Sequence, residues 1–143
     1  MAKPDPALLD PARYPFRTDV DIRFGDIDLN RHVNNVALAG FVEEGRVRFH
    51  KASGFHSAIA GLGAMAVSIA IEFIGQAYYP GTMTIHAGAS RIGSSSYEME
   101  LLLCQDERAV SFARATMVCL KDGKPFALPD SFRDSVKDWM VRA

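Results

Sequence analysis

The chain has little of what several large protein classes require. It contains two cysteines among 143 residues, too few for a disulfide scaffold. It has 16 Lys and Arg residues against 17 Asp and Glu residues, so it lacks the basic excess of general nucleic-acid binders. No apolar run approaches the roughly 20 residues that span a bilayer, and the first residues lack the apolar core of a signal peptide. We therefore expect a cytoplasmic protein with no nucleic-acid or membrane partner.

Motifs for metals and common cofactors are also absent. No histidine stands at a zinc-motif spacing from another His, Cys or Glu, and neither a P-loop nor a dinucleotide-binding glycine pattern occurs. Cys104 and Cys119 each lie in an apolar stretch, which favours buried free thiols over a bridge or a catalytic pair. We expect no metal and no cofactor.

What the sequence does contain is one long helical pattern among strand patterns, within a length (1–143) that suits one domain. Residues 1–15 are predicted to be an irregular lead-in, and period-two alternation predicts a strand over 16–24. Helical spacing predicts a helix over 36–53, with Asn34 and Asn35 as N-cap candidates and Gly54 as its stop. Gly40 and Gly45 inside this helix each cost about 1 kcal/mol relative to Ala, which suggests close packing against the backbone.

The region 64–121 alternates as four strands separated by turn signals, and a short amphipathic helix is predicted over 129–141. Consecutive strands joined by short turns indicate an antiparallel meander. One helix must then cover a whole sheet face. The predicted fold is α+β, a curved antiparallel β-sheet wrapped around one long central helix, which is the hot-dog fold. Its exposed sheet edge predicts a homodimer or homotetramer.

Chemistry is concentrated between the first strand and the long helix, in residues 25–35. This segment could be no more than a polar loop that ends in a helix cap. However, Asp28 stands where the backbone N–H groups of a helix start converge, and such donors favour developing negative charge. His32 lies close enough in sequence to orient a carboxylate or exchange a proton with it or with water. A carboxylate beside oxyanion donors is an arrangement for acyl transfer.

The same segment, Gly25-Asp26-Ile27-Asp28 followed by His32-Val33-Asn34-Asn35, resembles the 4-hydroxybenzoyl-CoA thioesterase-like branch of the hot-dog superfamily. It is most similar to the acyl-CoA thioesterases with a D-x-D-x-x-x-H-V-N-N motif, and it is also similar to plant acyl-ACP thioesterases. The resemblance covers about residues 18–136. It implies a cofactor-free thioesterase that assembles as dimers or dimers of dimers.

The resemblance also implies roles for single residues. Asp28 matches the catalytic carboxylate, which acts as nucleophile or as general base for water. The backbone N–H that polarises the thioester carbonyl falls on Asn35, and Asn30 and His32 match positions with catalytic roles in the plant enzymes. Arg31 departs from the pattern, because many relatives have glycine there.

Other positions are weaker candidates. The resemblance implies CoA contacts at Asn34 and along the strand pair that contains Arg91, Ser94 and Ser95, although the last three also fit an ordinary hairpin turn. Glu43 and Glu44 on the helix are alternative catalytic acids, but Glu44 is four residues before Arg48 and is more simply a surface ion pair. Three apolar side chains fit either an acyl tunnel or plain core: Phe41, Met65 and Phe73.

The leading hypothesis is therefore hydrolysis of an acyl-CoA thioester to a free acid and CoA. One alternative is a non-catalytic hot-dog module that binds acyl-CoA, and retention of Asp28 favours the enzyme over it. A second alternative is an acyl-ACP thioesterase. A third, a dehydratase acting on 3-hydroxyacyl thioesters, needs a basic residue in a differently built loop, and the sequence shows no such motif.

Overall fold

The computed structural model of the chain describes residues 4–143, which form a curved antiparallel sheet with one long helix against it. The strands are β1 (Phe16–Asp21), β2 (Gly63–Phe73), β3 (Thr82–Ile92), β4 (Ser96–Gln105), β5 (Arg108–Lys121) and β6 (Lys124–Pro125). The α-helices are α1 (Asn35–Ala52), α2 (Phe55–Ala58) and α3 (Asp130–Ser135). This is the α+β hot-dog fold predicted from the sequence.

The order of the strands differs from a simple meander. Neighbouring strands run β1-β3-β4-β5-β2, with β6 beside β5, and every pair is antiparallel. β3, β4 and β5 follow one another as hairpins, as expected, but β2 pairs with β5 rather than with β3. The prediction of four meandering strands was therefore wrong for β2. Residues 74–81 connect one edge of the sheet to the other side, where β3 pairs with β1.

The helix α1 begins and ends almost where the sequence predicts. The Asn34 side chain caps it by accepting a hydrogen bond from the Ala37 N–H at 2.7 Å. Gly54 follows the helix in the left-handed conformation (φ 80°), which only glycine adopts without strain. At Gly45 an added Cβ would lie 2.5 Å from Cγ2 of Ile85, so here the predicted close approach to the sheet is confirmed. Gly40 makes no such approach.

The inner side of the sheet and the buried face of α1 form one hydrophobic core. At the carboxyl end of α1 the ring of His50 forms a hydrogen bond with the hydroxyl of Tyr97, and both side chains are buried. Burial lowers the pKa of His50 to about 3, because the charged imidazolium would lose its solvation. Burial likewise raises the pKa of Tyr97. This pair lies away from the amino end of α1 and holds the other end of the helix to β4.

The two ends of the chain differ from the prediction: the amino-terminal segment is more regular, and the carboxyl-terminal helix is divided in two. The predicted lead-in 1–15 contains two 3-10 helices, Pro6–Leu9 and Pro11–Arg13, and its first three residues lie outside the described part. Arg13 anchors this segment through hydrogen bonds of 2.8 and 3.2 Å to the buried carboxylate of Glu100. The predicted helix 129–141 is α3 followed by a 3-10 helix, Val136–Trp139, after which Met140 bridges to the sheet.

The edge strand β2 leaves large apolar side chains in contact with solvent. Met65 and Phe73 are each 51% exposed, so the plain-core alternative was wrong for these two residues in the single chain, whereas Phe41 is buried. Cys104 and Cys119 are buried and unbridged, as predicted, and burial raises the pKa of both thiols. Within residues 4–143, no helix combines the length and apolar character needed to cross a membrane.

Candidate active site

A cleft of about 890 Å³ lies at the amino end of α1, between that helix, the end of β1 and the loop that joins them. We call this loop, residues 24–34, the site loop. The cleft brings together five predicted site residues, one of them also the helix cap: Asp28, Asn30, His32, Asn34 and Asn35. The remaining residues on its walls are Val20, Asp21, Arg23, Gly25, Asp26, Val36, Ala37, Gly40, Phe41 and Glu44.

Asp26 holds the site loop in place. Its side chain is buried, and Oδ2 accepts a hydrogen bond from the Arg23 N–H at 2.8 Å. Oδ1 accepts a second bond from the Arg23 guanidinium at 3.3 Å, and the Asp26 carbonyl accepts one from the Asn34 N–H at 3.0 Å. The carboxylate of Asp26 thus bonds the residue before the loop, and its carbonyl bonds the last residue of the loop. The first aspartate of the motif therefore fixes the conformation of the loop.

Asp28, by contrast, presents its carboxylate to the cleft. The residue is exposed, and Oδ1 accepts a hydrogen bond from the Asn30 N–H at 2.8 Å. Oδ2 has no hydrogen-bond partner among residues 4–143. The turn is closed by the Arg31 N–H, which donates to the Asp28 carbonyl at 3.0 Å while Arg31 itself is left-handed at φ 66°. One oxygen therefore orients the carboxylate, and the other is available to a substrate or to water.

The first turn of α1 supplies hydrogen-bond donors to the same cleft. Within the described part of the chain, the backbone N–H groups of Asn35 and Val36 have no hydrogen-bond partner, because no helical turn precedes them. The Asn34 side chain caps the N–H of Ala37 instead. Unpaired N–H groups at a helix start carry the positive end of the helix dipole. They are suited to bind a carbonyl oxygen that becomes negative.

His32 lies between this cleft and a smaller cavity of about 270 Å³. Its Nδ1 is 3.5 Å from the Val33 carbonyl, and its own carbonyl accepts the Asp28 N–H at 3.3 Å. No hydrogen bond joins the His32 and Asp28 side chains among residues 4–143. The predicted partnership of these two side chains stays a prediction. The smaller cavity is lined by His32, Val33, Asn35, Leu38, Phe73, Ile74, Gly75 and Gln76.

The alternative acids on the helix are both in ion pairs. Glu43 binds Arg46 at 2.7 Å, and Glu44 binds Arg48 at 3.2 Å, the surface ion pair predicted from their spacing. Glu44 lines the cleft, but it lies nine residues beyond Asn35, or about 13.5 Å along the helix axis at 1.5 Å per residue. It is therefore remote from the free N–H groups.

The predicted CoA contacts on the β3–β4 hairpin do not line either cavity of the described chain. β3 pairs with the site end of β1 through its first residue, Thr82, whereas Arg91, Ser94 and Ser95 lie near or beyond its other end. Arg91 is nine residues from Thr82, or about 30 Å along the strand at 3.3 Å per residue. The carbonyls of Ser94 and Ser95 accept the N–H groups of Leu128 and Cys119 at 2.9 and 2.8 Å. Within a single chain, the backbone of these serines thus holds β5 and the segment that leads to α3.

The sequence analysis did not identify the residues outside the cleft whose hydrogen bonds hold the site loop in place. The Val33 N–H donates to the Ala77 carbonyl at 2.8 Å. The next residue, Tyr78, is held by the buried amide of Gln105, which accepts its N–H at 2.9 Å and donates to its carbonyl at 2.8 Å. No local pattern could reveal this support, because Gln105 lies 27 residues from Tyr78.

The site contains few basic groups and no preformed metal centre. Among its described lining residues, Arg23 is the single Lys or Arg, against the carboxylates of Asp21, Asp26, Asp28 and Glu44. Residues 4–143 contain no group of three or more His, Cys, Asp or Glu side chains that could hold a metal ion. The cleft residues themselves supply carboxylates, an imidazole, amides, one guanidinium and backbone N–H groups.

Comparisons with known proteins agree with this architecture. A family model described as the thioesterase-like superfamily matches residues 22–139. A thioesterase from Thermus thermophilus, solved with coenzyme A and Zn, has 22% identity and a TM-score of 0.77 over 87% of this chain and 93% of its own. A predicted thioesterase from Bacillus stearothermophilus has 22% identity and a TM-score of 0.80, covering 90% and 98%. YbaW, a probable thioesterase from Escherichia coli, has 25% identity and a TM-score of 0.75, covering 87% and 98%. Among curated protein sequences the chain has no match.

Proposed function

The chain belongs to the thioesterase-like superfamily, and from that premise we propose that it hydrolyses an acyl-CoA thioester to a free acid and CoA. One observation carries the proposal. The Asp28 carboxylate, with one oxygen unengaged within residues 4–143, faces the same cleft as the unpaired N–H groups of Asn35 and Val36. Thioester hydrolysis needs both parts, a group that delivers the nucleophile and donors that stabilise the oxyanion.

In the proposed reaction the thioester carbonyl oxygen accepts a hydrogen bond from the Asn35 N–H. Asp28 either removes a proton from a water molecule that attacks the carbonyl carbon, or attacks that carbon itself to form a mixed anhydride that water then cleaves. The carbon–sulfur bond breaks in both routes, and the thiolate takes up a proton to leave as CoA. His32 is placed on the cleft wall, where it can orient water or carry that proton.

We further propose that the enzyme acts as a homodimer or homotetramer. Strand β2 lies at the end of the sheet, and among the described residues no strand pairs with its outer edge. Its side chains Met65, Val67 and Ile69 are 51%, 51% and 39% exposed. Exposed apolar side chains on an edge strand favour association with a second copy. Sedimentation velocity at micromolar concentration tests this, and an active protein that sediments as a monomer would contradict it.

The test of the function is release of free thiol from a panel of acyl-CoAs by the purified protein. We expect turnover with at least one member among acetyl-, hexanoyl-, decanoyl- and benzoyl-CoA. Calorimetry on the same panel separates the alternatives, because binding without thiol release would identify a non-catalytic acyl-CoA-binding module. Turnover of acyl-ACP but not of acyl-CoA would instead assign the acyl carrier protein as the carrier.

A further inference from the structure

Nothing within the chain explains why residue 40 is glycine. Gly40 lies in the interior of α1, where glycine weakens a helix relative to alanine. Its φ lies outside the left-handed region, and apart from its chain neighbours and the backbone of its own helix, a Cβ added there would meet no heavy atom of residues 4–143 within 4 Å. Gly45 differs, since the same addition would collide with Ile85 and lie 3.2 Å from Leu101. Packing explains Gly45 but not Gly40.

Gly40 instead lines the cleft. Val36 and Glu44, four residues before and after it, line the cleft with it, so the three form one row along the helix. Side chains on an α-helix lean toward its amino end. A side chain at position 40 would therefore lean toward Asn35 and the loop that carries Asp28. Position 40 is five residues from Asn35, or about 7.5 Å along the axis.

The surroundings of Gly40 suit a hydrocarbon group better than a phosphate. Arg48 pairs with Glu44, but the carboxylates of Asp21 and Asp28 also line the cleft and would repel the phosphates of CoA. Apolar walls, in contrast, favour an apolar ligand. The apolar residues that line the cleft with Gly40 are Val20, Val36, Ala37 and Phe41.

We propose that Gly40 is a specificity-determining residue, whose missing side chain leaves room for a bulky apolar acyl group beside the reacting carbonyl. The inference rests on the proposed function and adds to it the class of acyl group. The helix stability lost at Gly40 is then offset by the open space that this part of the cleft gains. The CoA moiety extends away from position 40.

The first test measures stability alone. Gly40→Ala is expected to raise Tm by about 3 °C, because it adds helix propensity without a collision. Gly45→Ala is the matched control, with the same substitution in the same helix, and it is expected to lower Tm. A lower Tm or an altered oligomeric state for Gly40→Ala would show that Gly40 packs against another chain, and this would overturn the proposal.

The second test measures kcat/KM for acetyl-, hexanoyl- and decanoyl-CoA. Relative to wild type, Gly40→Ala is expected to lose about 10-fold more with decanoyl-CoA than with acetyl-CoA, since one added methyl group in an apolar pocket has effects of that order. Gly40→Leu is expected to discriminate more strongly. Equal losses across the series would place the CoA arm beside Gly40 and overturn the proposal. So would a wild-type enzyme that accepts only acetyl-CoA.

A binding measurement separates this proposal from the proposed function. If the wild-type protein releases no thiol from any acyl-CoA, the proposed hydrolysis is wrong, and calorimetry with the same three compounds then decides the role of Gly40. A loss of affinity in Gly40→Ala that grows with acyl length would support it. Unchanged affinities, or no binding by the wild-type protein, would overturn it.

Discussion

Replacing Asp28 by asparagine separates catalysis from stability, because the two effects differ widely in size. The residue is exposed, and its side chain makes one hydrogen bond, to the Asn30 N–H at 2.8 Å, which an amide oxygen can also accept. Surface changes of this kind alter the free energy of unfolding by about 0.5 kcal/mol or less. For a chain of this length that corresponds to a Tm shift of about 2 °C. The fold should therefore survive.

The same change removes the charge that, in the proposed reaction, attacks the carbonyl or accepts a proton from water. Loss of a general base lowers kcat by about 10²-fold or more, equivalent to roughly 2.7 kcal/mol of transition-state stabilisation. KM should change much less, because the contacts predicted for the CoA moiety involve other residues. The predicted catalytic effect of Asp28→Asn thus exceeds the predicted effect on stability about fivefold in free energy.

The assay measures kcat, KM and Tm on the same purified protein with the best acyl-CoA of the panel. Asp21→Asn is the matched control, because Asp21 is an exposed aspartate that lines the same cleft, and its replacement removes the same charge. Its kcat should fall far less. A folded Asp28→Asn protein with near-normal kcat would refute the assignment, as would equal losses in the two variants, which would indicate a general effect of cleft charge.

Three further predictions concern other residues. His32→Ala should lower kcat less than the aspartate variant, since water can replace part of an orienting group; a larger loss in thiol release would make the histidine the principal base. The double replacement of Cys104 and Cys119 by serine should leave kcat unchanged in folded protein, because burial raises the pKa of both thiols and neither lines the cleft; lost turnover would show a thiol nucleophile. Burial lowers the pKa of His50 to about 3, so below pH 6.5 the unfolded chain takes up a proton that the folded chain does not. Stability should then fall as pH decreases from 6.5 toward 3, by up to about 1.4 kcal/mol per pH unit from this group, and His50→Gln should flatten the profile; parallel profiles would contradict this.

Sequence patterns predicted most reliably the structural features that depend on residues close together in the chain. Asn34 and Gly54 determine the ends of α1 through backbone conformations and hydrogen bonds that reach three residues or fewer, so the predicted and observed helices differ by one residue. The site loop and the first turn of α1 are also contiguous in sequence, which is why the structure brings the residues predicted there, 28 to 35, to one cleft.

What could not be predicted depends on contacts between distant segments. Alternation shows that β2 is a strand, but it carries no information about its partner, and β2 pairs with β5 far along the chain. The half-exposed Met65 and Phe73 follow from that edge position. The two helix glycines look identical in sequence, yet only the position facing Ile85 approaches the sheet. The cytoplasmic location and the hairpin contacts to CoA stay predictions.

The support of the site loop from behind also has a consequence for the order in which the chain acquires its structure. The Val33 amide is bonded to Ala77, whose neighbour Tyr78 is held by Gln105 at the end of β4. Residues 28–35 are synthesised early, but these bonds form only after the chain has reached residue 105, when a long loop has closed. We therefore expect the site loop to reach its final conformation late in folding. Hydrogen exchange at the Val33 amide should report on the integrity of β4, far away in sequence, rather than on the local helix start.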